Sequence, residues 1–460
     1  MRAVPLTLAV LLLVSAVAGS GPALAPNGPP QQVAQGPSPD AALTPAAPDS
    51  TPALGASGAS GPPNAQLSGP SGPSERLINV LAVPDGEATR STLETEYVEL
   101  GSGLGFSADV TDVRLRTESV IERVDATETR EARQRYLLQA VSGVEQRVVA
   151  LRSRQRQAFT AYGQGELPPR QLLYELALID AEARELEERR SRLQTLARST
   201  SGFSISASRF GNIELELNTL TGPVRGYAAA VLRGEATAGR FFVQTGSNSV
   251  ALAVIRDGTY VREVYRGSLR GENSNSFSLA EAVNATEQAY PTVADLRLRD
   301  DTLGNPDSDS ARVTIEHRRG RLVAFVDSGS KRVFQEYQYR PIDQVVTRSP
   351  ASATRDAMTL TAHRTYPGGP VRLQLNSTET GEPIDAQITV GPAGGRSTVV
   401  GQTGPDGSLW TLAPNGSYQV TAIDGSAVVI LSVQPTSTPA VYGTRNESNG
   451  TGTATPERSA

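Results

Sequence analysis

Leu137-LQAVSGVEQRVVALRSRQRQAFTA-Tyr162 and Leu172-LYELALIDAEARELEERRSRLQTL-Ala197 decide how the middle of this chain folds. On the first stretch apolar or seam positions fall at Leu137, Val141, Val144, Val148, Leu151, Gln155, Ala158 and Tyr162. The second repeats the spacing at Leu172, Leu176, Ile179, Ala183, Leu186, Arg190, Leu193 and Ala197. Alternating steps of four and three keep one seam of a helix turned toward a partner. Between the stretches, Gly163-Gln-Gly165-Glu-Leu-Pro168-Pro169 ends one helix and opens the next, because Gly tolerates a C-terminal cap and Pro suits a first turn. So short a connection predicts an antiparallel return. The outer faces carry alternating charge, as at Glu182, Arg184, Glu185, Glu187, Glu188, Arg189 and Arg192, and read as solvated. Gln155 and Arg190 interrupt the seam and are expected at its edge, where an arginine stem lies along apolar surface with its head in water.

Working outward, the spacing divides the chain into a signal peptide over 1–18, a Pro/Gly/Ser/Ala-rich disordered tether over 19–74 and a docking segment over 75–116. The hairpin then takes 117–200, an α+β domain 203–348, a small β-sandwich 356–434 and a disordered tail 435–460. The fold expected is multidomain α+β: an antiparallel coiled-coil helical hairpin, a β-rich α+β domain and a C-terminal antiparallel sandwich between disordered termini. Met1-Arg2, the apolar run from Ala3 to Val17 and the small residues after it have the three sections of a secretory signal, with a cleavage site at Ala16-Val17-Ala18. Uncleaved, the same segment would serve as a membrane tether. The mature chain is expected to hold no transmembrane segment. In the docking segment, Leu77, Ile78, Val80, Leu81 and Val83 predict an extended piece, and Leu93, Tyr97, Leu100 and Leu104 stand at helical spacing.

Within 203–348, strands are predicted at Phe241–Gln244, Val250–Ile255 and Tyr260–Tyr265, the last two joined by Arg256-Asp257-Gly258, whose Asp-Gly accepts a left-handed turn. Ser278-Leu-Ala-Glu281 is a capping box opening a helix, and strands at Val313–Glu316, Leu322–Val326 and Val333–Tyr339 follow. This helix plus hairpin, Ser278 to Tyr339, resembles small α+β modules of exported peptidase propeptides and inhibitors. Beyond it, strands alternate at Val371/Leu373/Leu375, Ala386/Ile388/Val390 and Tyr418/Val420, with turns at Gly391-Pro392, Asp406-Gly407, Asn415-Gly416 and Asp424-Gly425.

Residues 380–390 and 403–422 of that region resemble the transthyretin-like, carboxypeptidase-regulatory-like type of immunoglobulin-like domain, which implies a stalk, spacer or contact module. The Arg-rich hairpin, Asp257-Gly-Thr-Tyr-Val-Arg-Glu-Val-Tyr-Arg-Gly267 and Tyr366-Pro-Gly-Gly-Pro370 together resemble a family of uncharacterised secreted proteins of halophilic archaea. That resemblance implies an exported location and brings no activity with it.

The composition narrows the chemistry. With no cysteine there is no disulfide framework, thiol nucleophile or lipid attachment point. Of 43 basic residues only Lys331 is lysine, and a formal net charge of −5 speaks against a polybasic nucleic-acid or membrane patch. His317 and His363 fit no zinc pattern and are expected on strand surfaces. Phe325-Val-Asp327-Ser-Gly329 spells half of an aspartic-peptidase dyad, but no second D-[ST]-G triplet exists, so Asp327 is expected as a solvated turn residue. Asn305, Asp307, Asp309 and Glu316 have the spacing of a weak divalent-ion loop, with Ser310 where its glycine belongs. Glycosylation acceptor patterns start at Asn284, Asn376, Asn415, Asn446 and Asn449. No catalytic residue and no cofactor is expected.

The sequence thus reads as an exported, non-enzymatic cell-surface or extracellular protein whose hairpin meets an unknown protein or envelope partner while the sandwich acts as spacer. The alternative is an exported peptidase-inhibitor or chaperone-like α+β module, and the third reading an unrecognised hydrolase.

Overall fold

In the computed structural model, which describes residues 76–96, 99–271, 277–304 and 308–442, the heptad-spaced stretches lie on two long helices. Helix α1 is Leu100–Asp125, α2 Arg130–Gly163 and α3 Pro169–Ser199. All eight seam positions on α2 are buried, and so are all eight on α3. Ion pairs fix the directions. Arg147 meets Glu182 at 2.9 Å and Arg154 meets Glu175 at 2.6 Å, so α2 and α3 run antiparallel. Asp109 meets Tyr174 at 3.0 Å and Glu118 meets Arg192 at 2.6 Å, so α1 runs parallel to α3.

The helix expected over Leu93 to Leu104 is displaced and longer, Leu100–Asp125, so three long helices pack where the sequence reads a hairpin alone over 117–200. Phe106, Thr117, Ile121 and Val124 of α1 are buried, with Val110 packed beside them. Leu100 and Leu104, expected on its inner face, are 78% and 63% exposed. Leu93 belongs to no helix: it lies in strand β1, Ala88–Glu96, opposite Phe242. Thr89, Thr92 and Thr95 explain the difference, since β-branched residues suit a pleated edge better than a helix interior.

Short helices α4 (Ala207–Asn218) and α5 (Pro223–Leu232) lie between the long helices and a sheet. That sheet has eight strands in the order β1-β2-β3-β4-β8-β7-β6-β5, every pair antiparallel. Its members after β1 are β2 Gly239–Gly246, β3 Ser249–Arg256, β4 Thr259–Arg266, β5 Arg297–Leu303, β6 Ser310–His317, β7 Gly320–Asp327 and β8 Val333–Pro341. The β3–β4 turn places Asp257 at φ 48° and Gly258 at φ 67°, the left-handed pair that an Asp-Gly hairpin requires. One face of β2–β4 shares a single core with α1–α5 through Phe241, Val243, Val250, Leu252, Val254 and Val261. The opposite face of β6–β8 is covered by α6 (Leu279–Ala289) and α7 (Pro291–Asp295), with Ile78 beside them. The capping box is formed as read, the Ser278 hydroxyl accepting from the Glu281 amide and the Glu281 carboxylate from the Ser278 amide. Because β5–β8 are half of the large sheet, the helix plus hairpin that resembles an inhibitor module does not stand alone.

Two four-stranded antiparallel sheets follow, β14-β11-β10-β9 and β13-β12-β15-β16. Their strands are β9 Arg348–Arg355, β10 Met358–Arg364, β11 Pro370–Ser377, β12 Gln387–Pro392, β13 Thr398–Gln402, β14 Ser408–Leu412, β15 Tyr418–Asp424 and β16 Ala427–Val433. A common core of Leu360, Leu373, Leu375, Ile388, Val420 and Leu431, among others, lies between them. Gly391 and Pro392, expected in a turn, close strand β12, and the turn begins one residue later.

The chain then returns to the large sheet. The Val80 amide donates to Pro439 O at 2.9 Å and the Val441 amide to Val80 O at 2.9 Å, so residues 435–442 of the expected disordered tail are an ordered strap. The signal peptide, the tether and the last part of the tail lie outside the described residues.

Candidate functional site

Polar side chains converge where the helices meet the sheet. Along β4, Val261, Glu263 and Tyr265 face the helices, while Tyr260, Arg262 and Val264 face the other way. Glu263 and Arg225 of α5 are both 0% exposed, and the guanidinium Nε donates to the carboxylate at 2.5 Å. The second Glu263 oxygen accepts from the Val224 amide at 3.1 Å, satisfying an N–H that the start of α5 leaves free. Arg225 also donates from Nη1 to Gln155 Oε1 at 2.8 Å and to Leu220 O at 3.0 Å. Gln155 was expected at the seam's edge and is instead a buried acceptor linking α2 to the ion pair. Arg190, also expected at the edge, is 7% exposed and donates to Glu187 and Gln194. Asp180 accepts from the Gly222 amide at 2.8 Å and holds Arg184 through two further bonds. At Gly222 a Cβ would stand 2.1 Å from the Glu263 carboxylate, so only glycine lets the carboxylate approach the helix start. Burial raises the pKa of Glu263 and Arg225 opposes that rise. This cluster is a lock between layers, in which each charged group has an opposite partner and the Arg225 Nη2 alone is buried without an acceptor among the described residues.

Beside it the helices leave part of the sheet uncovered, and a cleft opens. Its floor is set by register: Arg312 stands opposite Phe325, Thr314 opposite Val323, which faces Tyr337, and Glu316 opposite Arg321, which faces Tyr339. Arg184 and the α4–α5 link at Asn218, Thr221 and Gly222 form the wall of a cavity of about 280 Å³. Its lining carries Arg184, Arg312 and Arg321 and no carboxylate. Neighbouring clefts of about 690 and 620 Å³ extend it past Tyr339 toward Arg256 and His317.

The residues singled out in the sequence are not brought together here. Asp309 is exposed at one end of β6 and Glu316 lies at the other, about 23 Å away at the rise of a strand. The divalent-ion loop therefore cannot close with Glu316 as its last ligand. Asn305 and Asp307 lie outside the described residues. Among the described residues no group of three or more His, Asp or Glu side chains could hold a metal ion.

Asp327, expected to be solvated, is 3% exposed. Its carboxylate accepts from the amides of Gly271 at 2.8 Å, Gly329 at 3.1 Å and Ser330 at 2.8 Å, and Arg270 stands 3.6 Å away. The segment after β4 crosses the β7–β8 turn and covers it. These are amide and guanidinium partners, and water activation by a carboxylate dyad has no counterpart here. His317 is likewise buried at 5% exposure rather than on a strand surface. Burial, with Arg340 and Arg319 nearby, pushes its pKa down to about 4. His363 lies half-buried on β10.

Of the glycosylation acceptors, Asn415 is exposed in a turn, Asn284 is exposed on α6 and Asn376 is half-buried in β11. Asn446 and Asn449 lie outside the described residues. Sequence reasoning missed the cleft altogether, because its arginines come from α3, β6 and β7.

Residues 1–237, more than half of the chain, match a family model described as a domain of unknown function, DUF7096. The chain belongs to this family. Residues 241–346 match a second family of unknown function, DUF7094, and residues 349–431 match an archaeal fibronectin-III type-like domain. The C-terminal part is thus immunoglobulin-like in the fibronectin-III sense, and the large sheet draws β1 from the first match and β2–β8 almost entirely from the second. No curated protein matches the chain. A solved structure of a beta-1,2-glucanase from Parabacteroides distasonis aligns over 41% of this chain at 13% identity, with a TM-score of 0.14. The alignment spans 33% of that enzyme's length, and so low a TM-score carries no argument about fold or activity. Among the described residues no helix is long and apolar enough to cross a membrane.

Proposed function

We propose that this protein is exported and acts without catalysis at the cell surface or beyond it, with the helical layer as contact face and the fibronectin-III-type part as spacer. The observation that supports this reading is the packing of that part against the large sheet. The Tyr260 hydroxyl donates to Gly368 O at 2.9 Å, and Leu412 packs with Phe242, Ala253 and Tyr260 in one buried cluster. A module held in this way transmits position and is suited to spacing. The coiled-coil seam itself is internal, so a partner would meet the outer face of α1, where Leu100, Leu104 and Leu115 are exposed. The sandwich arrangement of the two small sheets and the spacer role that goes with the transthyretin-like resemblance belong to the same proposal.

Fractionation of the native host carrying a C-terminally tagged full chain tests it. The mature chain is expected to begin at Gly19, after the small-residue site, and to be cut by protease added to intact cells. A photocrosslinker at Leu104 should give a discrete adduct there, and one at Leu176 none. Protease-resistant protein inside the cell with Met1 intact would overturn the reading.

A further inference from the structure

The uncovered cleft has an electrostatic character that the rest of the molecule does not prepare for. The chain carries a formal net charge of −5, yet three guanidinium groups line this cavity and no carboxylate does, Asp180 and Glu316 meeting two of them from outside the lining. Their engagement is incomplete. Arg312 is half-buried and has neither hydrogen bond nor ion pair among the described residues. Arg321 stands over the Tyr339 ring, its Cζ 4.1 Å from the centroid, with a buried Nε that has no acceptor and with Glu316 4.0 Å from Nη1. Arg184 gives Nε and Nη2 to Asp180, which fixes its plane and leaves Nη1 for another acceptor.

Two of these guanidinium groups are placed before anything binds, Arg184 by a carboxylate that fixes its plane and Arg321 by an aromatic ring beneath it. A preset planar fork is the geometry that recognises carboxylate, sulfate or phosphate oxygens, and it loses less entropy on binding than a free side chain. The hydroxyl of Thr314 and the amide of Asn218 border the same space and supply neutral donors. A volume of about 280 Å³ admits an oxyanion on a short stem and excludes a folded macromolecule. Glu316, opposite Arg321, is the acidic position closest in register, and Asp301 stands opposite Thr314 one strand further out, on the edge strand β5.

We propose that this cleft is a binding site for the oxyanion of a small ligand, clamped between Arg312 and Arg321 with Arg184 closing the third side. The inference stands apart from the reading of the protein as an exported spacer, because it rests on different residues and a different face.

Calorimetric titration of the full chain at low ionic strength with inorganic sulfate, inorganic phosphate and acetate tests it, the arms separating a tetrahedral from a planar oxyanion. At least one ion is expected to bind saturably at one site. Arg312→Gln should weaken that binding about tenfold or more, the loss of a charged hydrogen bond, and Asp301→Asn should tighten it by removing a repelling charge. Arg312 is half-buried and unpaired, so its variant should fold, which circular dichroism checks. No saturable binding of any of the three, or binding equal in the native chain and Arg312→Gln, would overturn the proposal.

Discussion

At Arg225 and Glu263 burial turns a common ion pair into a liability that its surrounding hydrogen bonds offset, although the Arg225 Nη2 group is buried with no acceptor. Removing two charges from water costs several kcal/mol each, and the pair recovers this through the Nε bond, the Gln155 and Leu220 acceptors and the two α5 amides. Glu263→Gln leaves Arg225 charged and buried without a counter-charge, and should lower unfolding free energy by about 3–5 kcal/mol. Replacing both together with apolar residues of similar volume should cost much less, and urea midpoints of the two variants check the contrast. His317 carries a pH signature of opposite kind to that of Glu96. Its folded pKa, about 4, lies below the ordinary imidazole value of 6.5, so the unfolded chain takes up the proton first. Its contribution to stability is therefore complete above about pH 6.5 and is lost as the pH falls toward about 4. Glu96, pushed up to about 7 by burial, favours the folded state toward acid, so total stability mixes both slopes. An imidazole NMR titration isolates the residue: the His317 ring should stay neutral to about pH 4, and a midpoint near 6.5 would mean that the ring is solvated.

Among the elements, α3 shows what a repeat in sequence can and cannot reveal. Its seam toward α2 was legible at every apolar position, because one apolar partner imposes one period, while Arg190, expected at the edge, is buried. Its other faces were not. Asp180, Ala181 and Glu182 look like solvent positions yet are buried, since α1 covers one side and α5 another, with Arg147 and the Gly222 amide answering the carboxylates. Helix α1 did carry a signal, in Phe106, Val110, Val113, Thr117, Ile121 and Val124, but Thr117 in the middle of the stripe hides it. Strand β1 was hidden by its threonines and glutamates, which an edge strand tolerates and a core strand does not. The hairpin turns and the capping box were legible because each is local chemistry. The arginine cleft was not, because three distant segments make it. Leu176→Ala, at 0% exposure between α2 and α3, should cost about 2–5 kcal/mol through lost contact and a cavity. Leu104→Ser on the outer face of α1 should change stability by less than about 0.5 kcal/mol. Thermal midpoints that moved equally for the two would mean that the layer is packed the other way round.

Across the whole molecule, the two ends of the described chain meet on one face of the large sheet, and this closes the structure in a way no single element does. Residues 76–83 run across that face, with Arg262 donating to Leu81 O at 2.8 Å and Gln338 to Asn79 O at 2.8 Å. After β16 the chain comes back from the fibronectin-III-type part and bonds Val80 from both sides through Pro439 and Val441. Tyr442 finishes the strap: its hydroxyl accepts from the Val333 amide at 2.9 Å, and its ring lies 4.1 Å from the Arg332 guanidinium carbon. The two halves are thereby joined by the strap as well as by direct contacts, among them Tyr260 to Gly368, Arg340 to Tyr366 and Arg240 to Thr398. Ending the chain at Gln434 removes the partners of the Val80 amide and carbonyl and of the Val333 amide, while Val80 and Val333 are 0% exposed. Each buried group left unpaired costs about 1–3 kcal/mol, so the shortened chain should lose several kcal/mol in the large sheet while the fibronectin-III-type core, which keeps all its strands, unfolds near its former temperature. A chain ending at Tyr442 keeps every one of these bonds and serves as the control. Calorimetry separates the outcomes: a lowered first transition with an unmoved second supports a strap that acts on the large sheet. Superimposable traces for the two truncations would show that the return of the chain contributes nothing to holding the body closed.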